Sequence, residues 1–312
     1  MSFLNLTYNQ RYMADSIEAN FSRFGTSLRL GIGVLALSVS SILIRFCHAP
    51  SLTISIYRLT IAFLCIMPIN LMRQNRLKIR TISQTSVLFI VISSLCLALH
   101  FWLWISSVET TSITKSTVLV TTSPIFVTLL NWLIQRSLPP RYIFISICLS
   151  TTGTFILVYE QSMFGSFSQG DGLAIIAAAC MAGYLTAGHK ALKMIPIQIY
   201  ITGVYGLSSV MLLLLALFLQ TDLTGFDKHT YLFLILIGLI PQLIGHSLIN
   251  SLLRDVHPGP ISIAILGEPL GASVLAWIFL DEIPTYATIL GGTIILYSVG
   301  FVMRYSGSTQ NT

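Results

Sequence analysis

Charge is what this sequence has least of. Only 9% of its 312 residues are Asp, Glu, Lys or Arg, against roughly 25% in a soluble domain. That deficit excludes a chain wrapped in a water-facing surface. The net charge of +6 would suggest nucleic acid on a soluble protein. Here most basic residues flank apolar runs, so no nucleic-acid partner is expected. Cysteine is sparse and unpatterned. Cys47, Cys65, Cys96, Cys148 and Cys180 are odd in number, form no CxxC pair and mostly sit inside apolar runs. Free thiols are expected, with neither a disulfide framework nor a zinc site. A P-loop, HExxH, GxSxG or dinucleotide fingerprint is also missing, so no cofactor is expected. No loop is long enough for a nucleotide-hydrolysing domain, which excludes an ATP-driven pump. Residues 1–26 lack the apolar core of a signal peptide. They read as a cytoplasmic N-terminal segment ahead of a retained first span.

What is present is apolar: 54% of the residues, in blocks of about twenty, the length that crosses a bilayer as a helix. The blocks predict spans at 27–46, 53–72, 84–107, 113–135, 139–159, 171–193, 197–219, 230–252, 259–280 and 284–304. Lipid cannot satisfy backbone polar groups, so the spans are helices; a barrel would need alternating strands of about ten residues. Of the seventeen Lys and Arg residues, thirteen fall on the N-terminal side, and Arg45, Lys115 and Lys228 on the other, with Arg58 inside span two. The positive-inside rule then places both termini in the cytoplasm of a multi-pass protein. A bacterial cytoplasmic (inner) membrane is the default location.

The chain repeats itself at an offset of 145. Pro124 matches Pro269, Leu130 matches Leu275, Trp132 matches Trp277 and Pro139 matches Pro284, without a gap. Arg45 matches Lys190, Ile54 matches Ile199 and Ile56 matches Ile201. The organisation expected is a first five-helix repeat over 27–160, a second over 161–305 and a short tail at 306–312. Five is odd, so the second repeat sits inverted. Inverted repeats are an architecture of secondary transporters, with the solute site near the midplane.

Few residues inside the spans carry chemistry. Pro124 and Pro269 fall mid-span, where proline removes a backbone donor and frees a carbonyl. They mark either a cavity-lining break or a packing kink. Glu268, directly before Pro269, is the only acid well inside a span. A charged carboxylate at that depth costs ~3 kcal/mol, so it faces a wet cavity, pairs with a cation or holds a proton. It is the candidate coupling group, with Ser123 at the matching place in the first half. Arg58 either snorkels, binds an anionic group or pairs with Glu268. His100 shares a helix face with Trp104 and Ser107, and His246 with Gln242 and Asn250. These two stripes are candidate cavity walls; each is equally readable as interhelical hydrogen bonding. Trp132 and Trp277 fit an aromatic belt.

The stretch Glu268-Pro269-Leu270-Gly271-Ala272-Ser273, with Trp277, Asp281-Glu282, Pro284 and the later Gly291-Gly292 and Gly300, resembles the EamA-type family of the drug/metabolite transporter superfamily. The resemblance runs over about residues 27–305. In the first half, Ser123 and Ser137 stand where family members often carry Glu. Arg58 falls where such proteins commonly have an arginine. The resemblance implies ten helices, cytoplasmic termini and a central cavity. It also implies export or exchange of a small solute such as an amino acid or amine. The solute path then draws on His100, Trp104, Ser107, Ser123, Pro124, Gln242, His246, Asn250 and Pro269, with Glu268 and Arg58 for coupling or charge pairing. Protons or another ion are candidate co-substrates, and the lipid bilayer is the standing partner. A monomer is sufficient and a dimer is compatible. The rival solute is a nucleotide-like metabolite taken up, such as S-adenosylmethionine. The rival class is a membrane-embedded enzyme or interaction protein, although no enzymatic motif supports it.

Overall fold

The structure is a computed structural model that describes residues 25–70, 82–111, 113–136, 139–158, 167–280 and 283–306. The basic segment holding Arg73, Arg76, Lys78 and Arg80 lies outside those residues, as do Ser137, Asp281 and Glu282. The described chain is helical throughout, with α1 over Gly25–Arg45, α2 over Ser51–Asn70, α3 over Gln84–Thr110, α4 over Ile113–Val120 and α5 over Ser123–Gln135. After these come α6 (Arg141–Val158), α7 (Gln169–Leu192), α8 (Ile197–Phe218) and α9 (Lys228–Ile237). A π-helical turn, Gly238–His246, leads into α10 (Ser247–Leu252), followed by α11 (Pro258–Ile265), α12 (Glu268–Leu280) and α13 (Tyr286–Ser306). Among the described residues nine stretches are long and apolar enough to cross a membrane, and Arg141–Ile156 is a shorter apolar helix between them.

The bundle is turned inside out relative to a soluble protein. Large apolar side chains such as Leu214, Phe218, Phe279 and Leu290 are exposed, whereas Ser38, Ser55, Ser94 and Thr53 are fully buried. Many of the buried hydroxyls find partners within their own helix. Ser38 donates to the Val34 carbonyl at 2.8 Å, Ser55 to Ser51 at 2.8 Å and Ser94 to Ile90 at 2.7 Å, the i−4 bond that lets a small hydroxyl sit inside a lipid-embedded helix. Small residues also set the closest approaches. A Cβ on Gly153 of α6 would lie 2.7 Å from the Gly291 carbonyl of α13. The most extensive packing joins α3 to α7, α6 to α13 and α2 to α8, each pair linking the first half of the chain to the second.

Helix starts follow local chemistry. Ser83 accepts from the Ser86 amide at 3.2 Å and begins α3. Ser168 and Asp171 form a reciprocal capping box at the head of α7, two orphan amide donors being satisfied at once. Asp171 also accepts from Thr111 Oγ1 at 2.9 Å, tying the start of α7 to the end of α3.

Two spans are broken midway. After Val120 the chain loosens over Thr121 and Thr122, and α5 begins at Ser123 with Pro124 in its first turn. After Ile265 it tightens into three-residue bonds, Leu266 N–H to Ile263 and Gly267 N–H to Ala264, and α12 begins at Glu268 with Pro269 next. Proline has no N–H and is preorganised for a first helical turn, so each Pro restarts a helix rather than kinking one. Glu268 stands at the midpoint of the span Pro258–Phe279. Span eight is distorted in another way. Pro241 lies inside its π-helical turn, and Gly238 packs so tightly that a Cβ there would come 2.7 Å from Ile61 Cβ on α2.

Candidate functional site

The two breaks face one another across a small cavity of about 30 Å³, lined by Leu37, Arg58, His100, Phe101, Trp104, Val120, Thr121, Ser123, Met181, His246, Ile265 and Glu268. A cavity of this size holds a water or two and no whole metabolite, and it is partly open rather than sealed. Val120, Thr121 and Ser123 come from the first break, and Ile265 and Glu268 from the second. The N-termini of α5 and α12 both reach the cavity wall, and a helix start is electropositive over its first turn.

Arg58 is the organising residue. It is 1% exposed, so it does not snorkel. Its Nε donates to Gln242 Oε1 at 2.7 Å and its Nη1 to Ser40 Oγ at 2.8 Å. The guanidinium carbon stands 3.9 Å from the centroid of the Phe101 ring, within cation–π range. Three helical elements thus hold one side chain: α1 through Ser40, α3 through Phe101 and the π-helical turn through Gln242. Its hydrogen bonds go to neutral partners, while the carboxylate-bearing Glu268 shares the same cavity. Glu268 is half-buried and begins α12, where the helix dipole favours a carboxylate.

His100 and Trp104 form a wall, their rings stacked at 6.2 Å with 13° between planes. His100 Nδ1 lies 2.9 Å from the Ala177 carbonyl on α7. A carbonyl only accepts, so Nδ1 carries the proton and Nε2 of the neutral ring is an acceptor. His246 stands edge-on to Phe101 at 5.1 Å and to Tyr184 at 6.3 Å. Its Nδ1 is buried without a protein partner, as is Trp104 Nε1. Leaving such a group unsatisfied costs about 1–3 kcal/mol each.

The other sequence candidates divide. Ser123 lines the cavity, and Pro124 and Pro269 are buried just behind it as helix starters. Gln242 is fully buried and reaches the site through Arg58. Asn250 is not on the wall: it accepts from Tyr184 Oη at 2.7 Å and donates to Tyr205 Oη at 3.3 Å, bracing α7, α8 and α10. Ser107 is committed to the Trp104 carbonyl at 2.7 Å and to Ser116 Oγ, joining α3 to α4. Gly267 and Gly271 press onto α1, where a Cβ on Gly267 would meet Val34 at 3.2 Å and one on Gly271 would overlap Ser38. Trp132 and Trp277 are 45% and 52% exposed on the outer face. All five cysteines are free, and among the described residues no three His, Cys, Asp or Glu gather as metal ligands.

Sequence reasoning missed Phe101, Met181 and the π-helical turn. The small-residue run Ala177–Cys180 on α7 was the available signal, since such a face lets α3 approach closely enough for His100 to reach a backbone carbonyl. Pro241 between Gly238 and Gly245 was the signal for the turn.

The model of the EamA-like transporter family matches residues 28–159 and 168–304. This chain belongs to that family. Among EamA-like relatives and other similar proteins, "Uncharacterized transporter YwfM" of Bacillus subtilis (strain 168) is 27% identical over 205 residues, 65% of this chain and 68% of that protein. "Uncharacterized transporter YdfC" of the same organism is 21% identical over 62% of this chain and 63% of that protein. "Solute carrier family 35 member G1" of Homo sapiens is 26% identical over 63% of this chain and 57% of that protein. The matched region therefore spans about two thirds or less of these relatives. One solved crystal structure superposes with a TM-score of 0.75 at 12% identity, covering 90% of this chain and 97% of that one; this likeness concerns the fold. An EamA-like assignment accords with a multi-pass membrane protein that transports small solutes.

Proposed function

We propose that this EamA-like protein is a secondary transporter that exports or exchanges a small metabolite across the cytoplasmic membrane by alternating access. In this reading two five-helix repeats, 27–160 and 161–305, sit inverted with both termini in the cytoplasm. The observation that carries it is the small cavity between two helix breaks, walled by one buried cation and one half-buried carboxylate. A packing bundle gains nothing from that arrangement, since a charge at this depth is costly. A carrier uses it, because a group that changes charge or partner there biases which way the halves part. Glu268 is the coupling group. It sits at the start of α12, facing Arg58 across the cavity, and binds a proton or exchanges it for solute.

The test is flux into proteoliposomes holding the purified chain, screened against labelled amino acids and amines with and without an imposed pH gradient. Saturable, gradient-responsive flux is expected. Glu268→Gln should abolish the response to the gradient while the protein stays folded. Gradient-driven accumulation surviving in that variant would remove Glu268 from the mechanism.

A further inference from the structure

We propose that the Arg58 corner of this cavity is a carboxylate seat, so that the solute moved under the transport reading is defined by an acid group. The inference rests on that reading and narrows it to one substrate class.

The wall carries acceptors in Glu268 and His100 Nε2, but its Arg58 corner is a donor site. Arg58 only donates, and two of its five N–H groups are committed, to Gln242 and Ser40. Those two bonds and the Phe101 face fix the plane of the guanidinium, which is what a fork needs to grip two oxygens at once. Trp104 Nε1 only donates as well. It is buried and has no protein partner. His246 Nδ1 is equally buried and unpartnered. Among the described residues the one carboxylate on this wall, Glu268, takes neither of these atoms, although it borders the same cavity. The Trp104 Nε1 donor beside Arg58 therefore awaits an acceptor from outside the chain, while His246 Nδ1 gives or takes a hydrogen bond according to its tautomer. The space they border is about 30 Å³, room for a water or a small polar group. The solute's body would occupy the region that opens as the helices part, against Leu37, Val120, Met181 and Ile265.

A cationic solute suits this wall poorly. It would have to approach Arg58 to reach Glu268, and it offers Trp104 nothing to donate to. A zwitterion is compatible, its amine turned to Glu268 and its acid to Arg58. The acid is the group that decides.

A matched series separates the groups: leucine, 4-methylpentanoate (acid only), 3-methylbutylamine (amine only) and leucinamide (amine, acid capped). Thermal shift and intrinsic tryptophan fluorescence of the purified full chain would read binding, and proteoliposome counterflow would read transport. Leucine and 4-methylpentanoate are expected to stabilise the protein, and the two ligands without a free acid are not. Trp104→Phe keeps the ring and removes only the donor; it should weaken binding of 4-methylpentanoate about tenfold, the effect of losing one hydrogen bond to a charged group. Arg58→Lys keeps the charge but loses the fork and should weaken it at least as much. Trp132→Phe, on the exposed face, should leave it unchanged. The inference is overturned if the amine or the amide binds as well as the acids, if Trp104→Phe and Arg58→Lys both bind the acid normally, or if no acid binds at all. Counterflow of the amine without the acids would overturn it and leave the transport reading standing. Failure of every ligand to bind or move would count against both.

Discussion

The breaks in spans four and nine share a backbone plan and differ in charge. Each ends one short helix, turns over two residues and restarts with a proline in the second position, with the restart at the cavity wall. The first break offers Ser123 there, the second Glu268. Their surroundings differ as well. Three residues after Glu268, Gly271 packs flush on Ser38 of α1; its counterpart at the 145-residue offset is Phe126, half-buried against the main core. Under the proposed coupling role of Glu268, similar geometry with unequal chemistry would let a gradient pull on the second break and leave the first as a passive mate.

The most disruptive test is to move the charge. Glu268→Ser combined with Ser123→Glu gives each break the other's residue. If the two are equivalent frames, gradient-driven flux survives the exchange. The expected outcome is complete loss of driven flux in the exchanged protein, because Gly271 lets α12 lie against α1 whereas Phe126 sets α5 into the core. Retained flux in proteoliposomes would show that it does not matter which of the two breaks carries the carboxylate. Next in size is Arg58→Met. It strips Gln242 Oε1 and Ser40 Oγ of their donor and leaves Glu268 without a nearby cation. Breaking a buried charged cluster costs about 3–5 kcal/mol, which would show as a lowered Tm of the purified protein. Adding Glu268→Gln to Arg58→Met should recover part of that loss, since it removes the uncompensated carboxylate.

Span count, helix class and the two proline breaks were legible because the physics behind them is local. Twenty apolar residues and a mid-span proline mean much the same thing in any bundle. Glu268 was legible for a related reason, as an acid where acids are expensive. Arg58 was only half legible. Its depth left snorkelling open, and the choice was settled by Ser40, Phe101 and Gln242, which arrive from three different elements. Asn250 shows the limit from the other side. Its spacing put it on the His246 face, yet two tyrosines from α7 and α8 capture it before it reaches the wall. Met181 carried no polar signal at all. Side chains placed by tertiary packing cannot be read from period and spacing alone.

Gly271→Leu sharpens the comparison at moderate cost. A side chain there overlaps Ser38, and overpacking of this kind costs about 1–3 kcal/mol, measurable as a lower melting temperature. Phe126→Leu at the paired position only trims a half-buried ring and should cost less than the glycine change. Equal losses would mean that the two breaks are packed alike after all.

The smallest effect belongs outside the cavity, at the head of α9. Asp227 accepts from the Thr230 amide and hydroxyl, both at 2.9 Å, and the amide bond first, then the hydroxyl, holds its carboxyl below the usual value. A depressed carboxylate stabilises the folded state above its unfolded pKa, and that contribution fades as pH falls through the lowered folded value. The cap matters to the carrier because the preceding loop is clamped to α2, the helix that carries Arg58: Thr53 donates to the Asp222 carbonyl at 2.7 Å and Tyr57 to the Leu223 carbonyl at 3.1 Å. Asp227→Ala should therefore lower the Tm slightly at neutral pH and converge with the parent protein in acid. Asp227→Asn, an equally good cap, should match the parent at neutral pH and lose the acid dependence. If the alanine variant instead melts below the parent by the same margin at every pH, the cap acts through packing of the loop on α2 and not through the charge of Asp227.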